Sequence, residues 1–352
     1  MGMPSVVISF TEKAIASIKR GNRGVVGIVI KDIVTTTNPI VLTSAVDVPT
    51  TLTAANQEQI KLAFNGYTNA PSKVIVYVLG ESDELKDALD YFETCKIDWL
   101  AVPGAETDGK STDIASWVKA KRADGKMVKA VLPNTASDCE GIVNFATENV
   151  YVNDKEYTTE EYCTRIAGLL AGTSLSISAT YATLPEITDC SRMTKEERDK
   201  AVDDGKFIVW HDGEKVKTGR AVNSLTTTTS EKGESFTKIK IVEAMDVIYS
   251  DIRQTAEDSY IGKYANTYDN KCLLISAIGN YFQSLIDANV LSGYEIGIDI
   301  EANKAYLKTK GVDVDALSDE EIKKADTGSN VYLTAKINIL DAIEDITLPI
   351  AI

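Results

Sequence analysis

Between about residue 24 and residue 172 the chain alternates short, almost wholly apolar runs with segments whose apolar residues recur at helical spacing. Few architectures can bury such a pattern. The runs at Val25 to Ile30, Lys73 to Leu79, Trp99 to Val102 and Val128 to Leu132 predict strands. The intervening Thr53 to Asn65, Asp83 to Thr94 and Thr112 to Ala123 predict helices, with Thr53, Ser82 and Ser111 as N-caps. The fold class that follows is α/β, a largely parallel sheet that is doubly wound in outline.

Length and composition set the outer bounds. A chain of 352 residues that is 44% hydrophobic can bury a sizeable core and form about two domains, which excludes a peptide, a disulfide-stapled miniprotein and a disordered chain. A net charge of −15 argues against general nucleic-acid binding, which needs a surplus of Lys and Arg. Cys95, Cys139, Cys163, Cys190 and Cys272 are scattered without a CxxC pair, as expected of reduced thiols in a cytosolic protein. The N-terminal Met-Gly-Met-Pro-Ser-Val-Val-Ile-Ser-Phe lacks the basic region of a signal peptide, and Val6 stands where myristoylation wants Ser or Thr. The apolar stretches at Gly24 to Ile30 and Cys272 to Ile278 fall far short of the roughly 20 residues that span a bilayer, so no membrane insertion is expected.

Catalytic parts are scarce. His211 is the single histidine and precedes Asp212-Gly213 in a predicted hairpin turn, so three-histidine zinc sites, HExxH and Cys/His clusters are excluded. No GxSxG elbow supplies a nucleophile and no Walker lysine motif is present. Gly21, Gly24 and Gly27 precede or enter the first strand, whereas a phosphate loop follows one. Glu196/Glu197, Asp203/Asp204 and Glu320/Glu321 are read as solvated helix charge, because neighbours on a helix point about 100° apart. No catalytic, cofactor or metal residues are assigned. An enzyme reading, in which the α/β domain binds a nucleotide or small metabolite, stands as the alternative.

From about 175 to 205 the chain is looser, with Pro185 and a charged helix from Thr194 to Asp203, and is expected to connect two domains. Beyond it, Phe207 to Trp210 and Val216 to Val222 predict a hairpin. Two amphipathic helices follow, with Ile241, Met245, Ile248 and Ile252 on a face of one and Leu274, Ile278, Tyr281 and Leu285 on a face of the other. Tyr294 to Ile300 and Val331 to Ile339 alternate as strands, completing an α+β domain.

Both ends of the chain alternate as well. Val6, Ile8 and Phe10 predict an N-terminal strand, and Ile346, Leu348 and Ile350 a C-terminal one after Asp341 to Asp345. Each must add to a sheet, its own or a neighbour's. The connector Thr11 to Arg23 reaches up to about 40 Å at about 3.3 Å per residue, enough to span to another subunit. Residues 1–31 hold five basic and one acidic residue, 205–240 seven and four, and 241–352 nine and 19. The basic N-terminal arm is thereby complementary to the acidic end formed by Asp341, Glu344 and Asp345.

The run Gly219-Arg-Ala-Val-Asn-Ser-Leu-Thr226, the helix around Lys238 to Val242 leading to Asp251-Ile-Arg253, Tyr260 to Lys263, Tyr268 to Leu274 and Lys336 to Ile346 together resemble the contractile tail sheath proteins. The likeness is to the short sheaths of clostridial phages and of R-type, phage-tail-like bacteriocins. It implies a structural subunit that stacks as hexameric rings around an inner tail tube and contracts to drive the tube through a cell envelope. It further implies partners in its own copies, the tube protein, the baseplate and the tail terminator, with assembly in the bacterial host cytoplasm before the subunit joins a virion tail or a released bacteriocin particle. On this reading residues 1–23 are an N-terminal arm of the inner lattice domain, 24–204 the outer α/β domain and connector, 205–340 the inner α+β domain and 341–352 the C-terminal arm. Strands containing Val6, Ile8, Phe10, Ile343, Ile346, Leu348 and Ile350 would be exchanged between subunits. Lys323 and Lys324, in the segment before the last long strand, would face the tube.

Overall fold

The structure is a computed structural model and describes residues 17–18, 23–33 and 37–352. The chain divides into two compact units, one taking in Gly21–Ser250 and Leu340–Ile352, the other centred on Asp251–Ile339.

The larger unit runs β1 (Val25–Lys31), β2 (Ile40–Leu42), α1 (Ala54–Phe64), β3 (Lys73–Leu79), α2 (Leu85–Thr94), β4 (Trp99–Ala101), α3 (Ser111–Ala123), β5 (Lys129–Pro133), β6 (Ile142–Phe145), β7 (Val150–Val152), β8 (Lys155–Tyr157), α4 (Thr159–Ala171), β9 (Ile187–Asp189), α5 (Lys195–Asp203), β10 (Lys206–Phe207), β11 (Val209–His211), β12 (Val216–Thr218) and α6 (Ile239–Thr255), whose last turn lies past the division. Seven strands form one sheet in the order β10-β6-β5-β4-β1-β3-β2. Every neighbouring pair is parallel except the edge strand β2, which runs against β3.

Such a sheet must be covered on both faces. Val26, Ile28 and Ile30 join Val74, Val76 and Val78 in a core under Ile60 and Ala63 of α1 and Ile166 and Leu170 of α4. Val25, Val29, Ile75 and Leu79 join a second core under Leu89 and Phe92 of α2 and Ile114 and Val118 of α3. The expected doubly wound domain is present. A Cβ at Gly27 would stand 3.0 Å from Phe92 and Ile97, so this glycine makes room for α2 to pack.

Two of the expected caps are corrected. α2 has Glu84 at its cap position, where the Asp87 carboxylate accepts from the Glu84 N–H at 2.9 Å, and Ser111 is the first residue of α3, after Lys110. Thr53 holds the cap position of α1 without a capping bond, its hydroxyl donating to Asp32 at 3.0 Å instead. The stretch from 175 to 205 is not a linker: Ala179, Ala182, Leu184, Ile187 and Cys190 are core residues, β9 pairs with β7, and α5 leads into β10 at the sheet edge. Its turn-rich composition reflects side chains that serve as backbone partners, such as the Ser178 hydroxyl that accepts from the Thr180 N–H at 3.1 Å. The domain start expected at 205 accordingly lies inside the larger unit.

α6 is held on this unit by buried charge. The Lys129 ammonium, from β5, lies 3.1 Å from Glu243 and 3.0 Å from Asp246 of α6. Arg122 forks onto Asp246 at 2.8 and 2.9 Å, and Arg23 grips Glu243 at 2.7 Å. Burial pushes the Glu243 carboxyl up, but the Lys129 and Arg23 charges outweigh it and hold it down at about 2.

In the smaller unit a π-turn at Ala256–Tyr260 precedes α7 (Tyr268–Asp287), β13 (Leu291–Ile298), α8 (Ile300–Thr309), α9 (Asp319–Lys324) and β14 (Leu333–Ile339). β13 and β14 form an antiparallel ribbon, from Leu291 opposite Ile339 to Ile298 opposite Leu333.

Two changes test this packing. A Cβ at Gly168 of α4 would fall 1.9 Å from the Ala63 carbonyl oxygen of α1, so Gly168→Ala should destabilise the protein by about 3 kcal/mol in urea unfolding. Lys129→Met leaves Glu243 and Asp246 short of positive charge and should cost about 3 kcal/mol at pH 7. Because Glu243 has a lowered folded-state pKa, its contribution is complete above its ordinary value and fades as pH falls toward about 2. The same variant should therefore lose less, relative to the parent, at pH 3.

Candidate functional site

An antiparallel ribbon of two strands leaves a row of backbone donors and acceptors on each outer edge, and is marginal by itself. β13 and β14 have no third strand among the described residues. Support comes from α7, where the rings of Phe282 and Tyr294 lie 5.4 Å apart and Gly279 lets the Tyr294 ring approach the helix, a Cβ there being 3.3 Å from its hydroxyl. Thr267 caps α7 by accepting from the Asn270 N–H at 3.3 Å. Just before it, the Asn266 amide donates to Thr327, Gly328 and Asn330 at 3.2, 2.7 and 2.9 Å, pinning the loop that delivers β14.

After β14 the chain adopts no regular element from Leu340 to Ile352. The C-terminal strand expected at Ile346 to Ile350 is thus not formed within the described chain, because a strand needs a backbone partner and none is present there. Ile343, Ile346, Leu348 and Ile350 are 87%, 82%, 73% and 77% exposed, and Ile352 extends the same alternation. Val6, Ile8 and Phe10 lie outside the described residues.

The acidic start of this arm has partners in its own chain. Asp345 receives Arg220 at 2.7 and 2.8 Å, Glu344 lies 3.3 Å from Arg220 and 3.4 Å from Lys238, and Asp341 pairs with Lys238. The Arg220 hydrogen bond holds Asp345 below its ordinary pKa. Burial raises Asp341, but the Lys238 hydrogen bond, the Ala342 N–H and the charges of Lys238 and Lys240 together outweigh it, and the net shift is downward. The sequence pairs these acids with the basic N-terminal arm; the partners seen are Arg220 and Lys238 of the basic stretch 205–240.

Lys323 and Lys324 close α9, whose start is fixed by a Ser318/Glu321 capping box and whose Ile322 is buried. Lys323 pairs with Glu320 at 2.9 Å and Lys324 stands over the Tyr268 ring at 5.7 Å. Glu320 and Glu321 are therefore an ion-pair partner and a capping group.

Nothing comparable assembles around the enzyme reading. His211 Nδ1 accepts from the Gly213 N–H at 2.9 Å and closes the β11–β12 turn. Beyond the carboxyl ends of β1, β3 and β4, where doubly wound enzymes take ligands, the charges satisfy one another: Lys31 with Asp108 at 2.6 Å, Lys110 with Asp113 at 3.1 Å, and Lys86 with Asp90. The five cysteines are free thiols, and the described residues include no cluster of three or more His, Cys, Asp or Glu placed to hold a metal. No helix among the described residues is long and apolar enough to cross a membrane.

Comparison with known proteins decides the family. Residues 81–224 match the phage tail sheath protein central domain and residues 231–352 the phage tail sheath C-terminal domain. The tail sheath protein of Clostridium phage phiCD119 is 39% identical over 99% of this chain and 98% of its own length. The chain belongs to the phage tail sheath family. Its fold matches the sheath tail protein of Desulfitobacterium hafniense with a TM-score of 0.72 at 18% identity, over 84% of this chain and 94% of that one. It also matches the contracted sheath complex of PVC, an extracellular contractile injection system, with a TM-score of 0.70 at 13% identity, over 100% and 98% of the two chains. The function is that of a phage tail sheath, and the metabolite-binding alternative has no support in these comparisons.

The sheath ribbon's loop anchor is testable. Asn266→Ala removes three hydrogen bonds to residues 327–330 and should cost about 1–2 kcal/mol. Hydrogen exchange should quicken in β14 while the seven-stranded sheet is unchanged.

Proposed function

We propose that this sheath subunit polymerises by strand exchange, its C-terminal arm adding to the β13–β14 ribbon of a neighbour and its N-terminal arm, with Val6, Ile8 and Phe10, doing the same on another. The observation that carries this reading is the pairing of two incomplete objects in one chain: a ribbon with open edges among the described residues and an arm whose Ile343, Ile346, Leu348 and Ile350 are exposed. Each supplies what the other lacks, and main-chain hydrogen bonds tolerate many side-chain sequences. An isologous dimer would use up both. Head-to-tail donation leaves one arm and one ribbon free at every step, so growth continues as rings and helices.

In the assembled sheath, hexameric rings stack around an inner tube, with the baseplate and tail terminator at the ends. Residues 205–340 and the two arms face the tube, and residues 24–204 face outward. Lys323 and Lys324 on α9 face the tube, with Glu320 tempering the charge of Lys323. Contraction draws its free energy from new subunit interfaces formed in the shorter lattice, so no nucleotide is consumed, and it drives the tube through the target envelope. Assembly takes place in the bacterial host cytoplasm.

Deletion of residues 346–352 tests the exchange. These residues are exposed, so the truncated subunit should melt at the parent temperature yet form no tubes in electron micrographs. Tubes of normal appearance from the truncated protein would end this reading.

A further inference from the structure

The arm is exposed at its tip and held at its root. Glu344 is turned inward, its side chain only 6% exposed, into a pocket made by Ser178, Thr180, Arg220 and Lys238. The Thr180 hydroxyl accepts from the Ala221 N–H at 3.0 Å and from Ser178 at 2.9 Å. Its acceptor sites are filled, so its single proton is directed at Glu344, 2.5 Å away. Arg220, beside Ala221, spreads its guanidinium over two successive carboxylates, Glu344 and Asp345. Lys238 takes Asp341, and Lys240 donates to the Leu340 carbonyl. Five side chains from a preformed corner therefore hold residues 340–345, and leave residues 346–352 projecting.

We infer that this corner is a clasp that fixes where the C-terminal arm leaves the subunit, and so determines which neighbour it can reach. The inference rests on the strand-exchange reading above. A tether starting at Leu340 could sweep about 44 Å, whereas one starting after Asp345 is limited to about 24 Å, at about 3.4 Å per residue. Shortening the flexible segment in that ratio raises its local concentration at a site within reach by about 2.5-fold, and excludes sites beyond it. The root is held largely by charge with partial solvent access, so salt weakens it. The exposed apolar tip has no such sensitivity.

The test uses the full-length chain in three forms: Glu344→Gln, Arg220→Gln with Lys238→Gln, and Arg220→Lys, which keeps the charge but loses the two-carboxylate fork. In the unassembled protein, proteinase K cleavage within residues 341–345 should quicken at least tenfold in the first two, with cleavage within residues 346–352 fast throughout. Both should need several-fold more protein to polymerise and should give tubes of mixed diameter, and Arg220→Lys should fall between them and the parent. Glu344→Gln lies on the arm, so it reads the clasp even if the Arg220 variants melt early. Parent-like cleavage within residues 341–345, or uniform tubes at the parent concentration, would overturn the clasp. The 346–352 deletion separates the two ideas: if it abolishes tubes while Glu344→Gln assembles normally, only the clasp fails. If the deletion assembles normally, arm exchange fails and the clasp inference with it.

Discussion

A β-strand cannot leave its backbone N–H and C=O groups without partners, and among the described residues of this chain that requirement is met only in part. The seven-stranded sheet satisfies its own interior. Among the described residues the ribbon of β13 and β14 and the arm beyond Leu340 do not: the ribbon is braced from α7, and the arm is held at its root with its apolar side chains outward. On the strand-exchange proposal, a sheath subunit that completed its own sheet would have no open edge to offer a neighbour.

The division of labour between the units follows from the same constraint. The larger one is a doubly wound block with apolar cores on both faces of its sheet. It has the architecture of many nucleotide-binding enzymes but not their phosphate loop, and Gly27 serves helix packing. Architecture alone carries no function.

Much of this is legible in the amino-acid sequence. Lys73–Leu79 stands as read, since the six apolar residues from Val74 to Leu79, between Lys73 and Gly80, have only one economical structure. The hairpin around Asp212-Gly213 and the alternating segments that form β13 and β14 are likewise set by local pattern. What local pattern does not encode is partnership across the chain. Ser82 reads as the cap of α2 ahead of Glu84, because a long carboxylate is a less usual cap and the Glu84 N–H is instead met by the Asp87 side chain. The stretch 175–205 reads as a linker because its polar residues bond to backbone, much of it distant in sequence. The excess positive charge of residues 205–240 is visible, as is the acidity of Asp341, Glu344 and Asp345, yet only coordinates show that the two belong together within one chain.

The buried junction between β5 and α6 carries a mechanical consequence. Apolar surfaces can slide past one another at little cost, but Lys129, Arg122, Glu243 and Asp246 satisfy each other in a single arrangement, and a shift of an ångström or two strands charge in a dry interior. Such a joint does not creep. A pull delivered along the first turns of α6 is handed to the sheet whole, up to the point at which the joint breaks, which makes the α/β block behave as a rigid lever arm and not as a cushion.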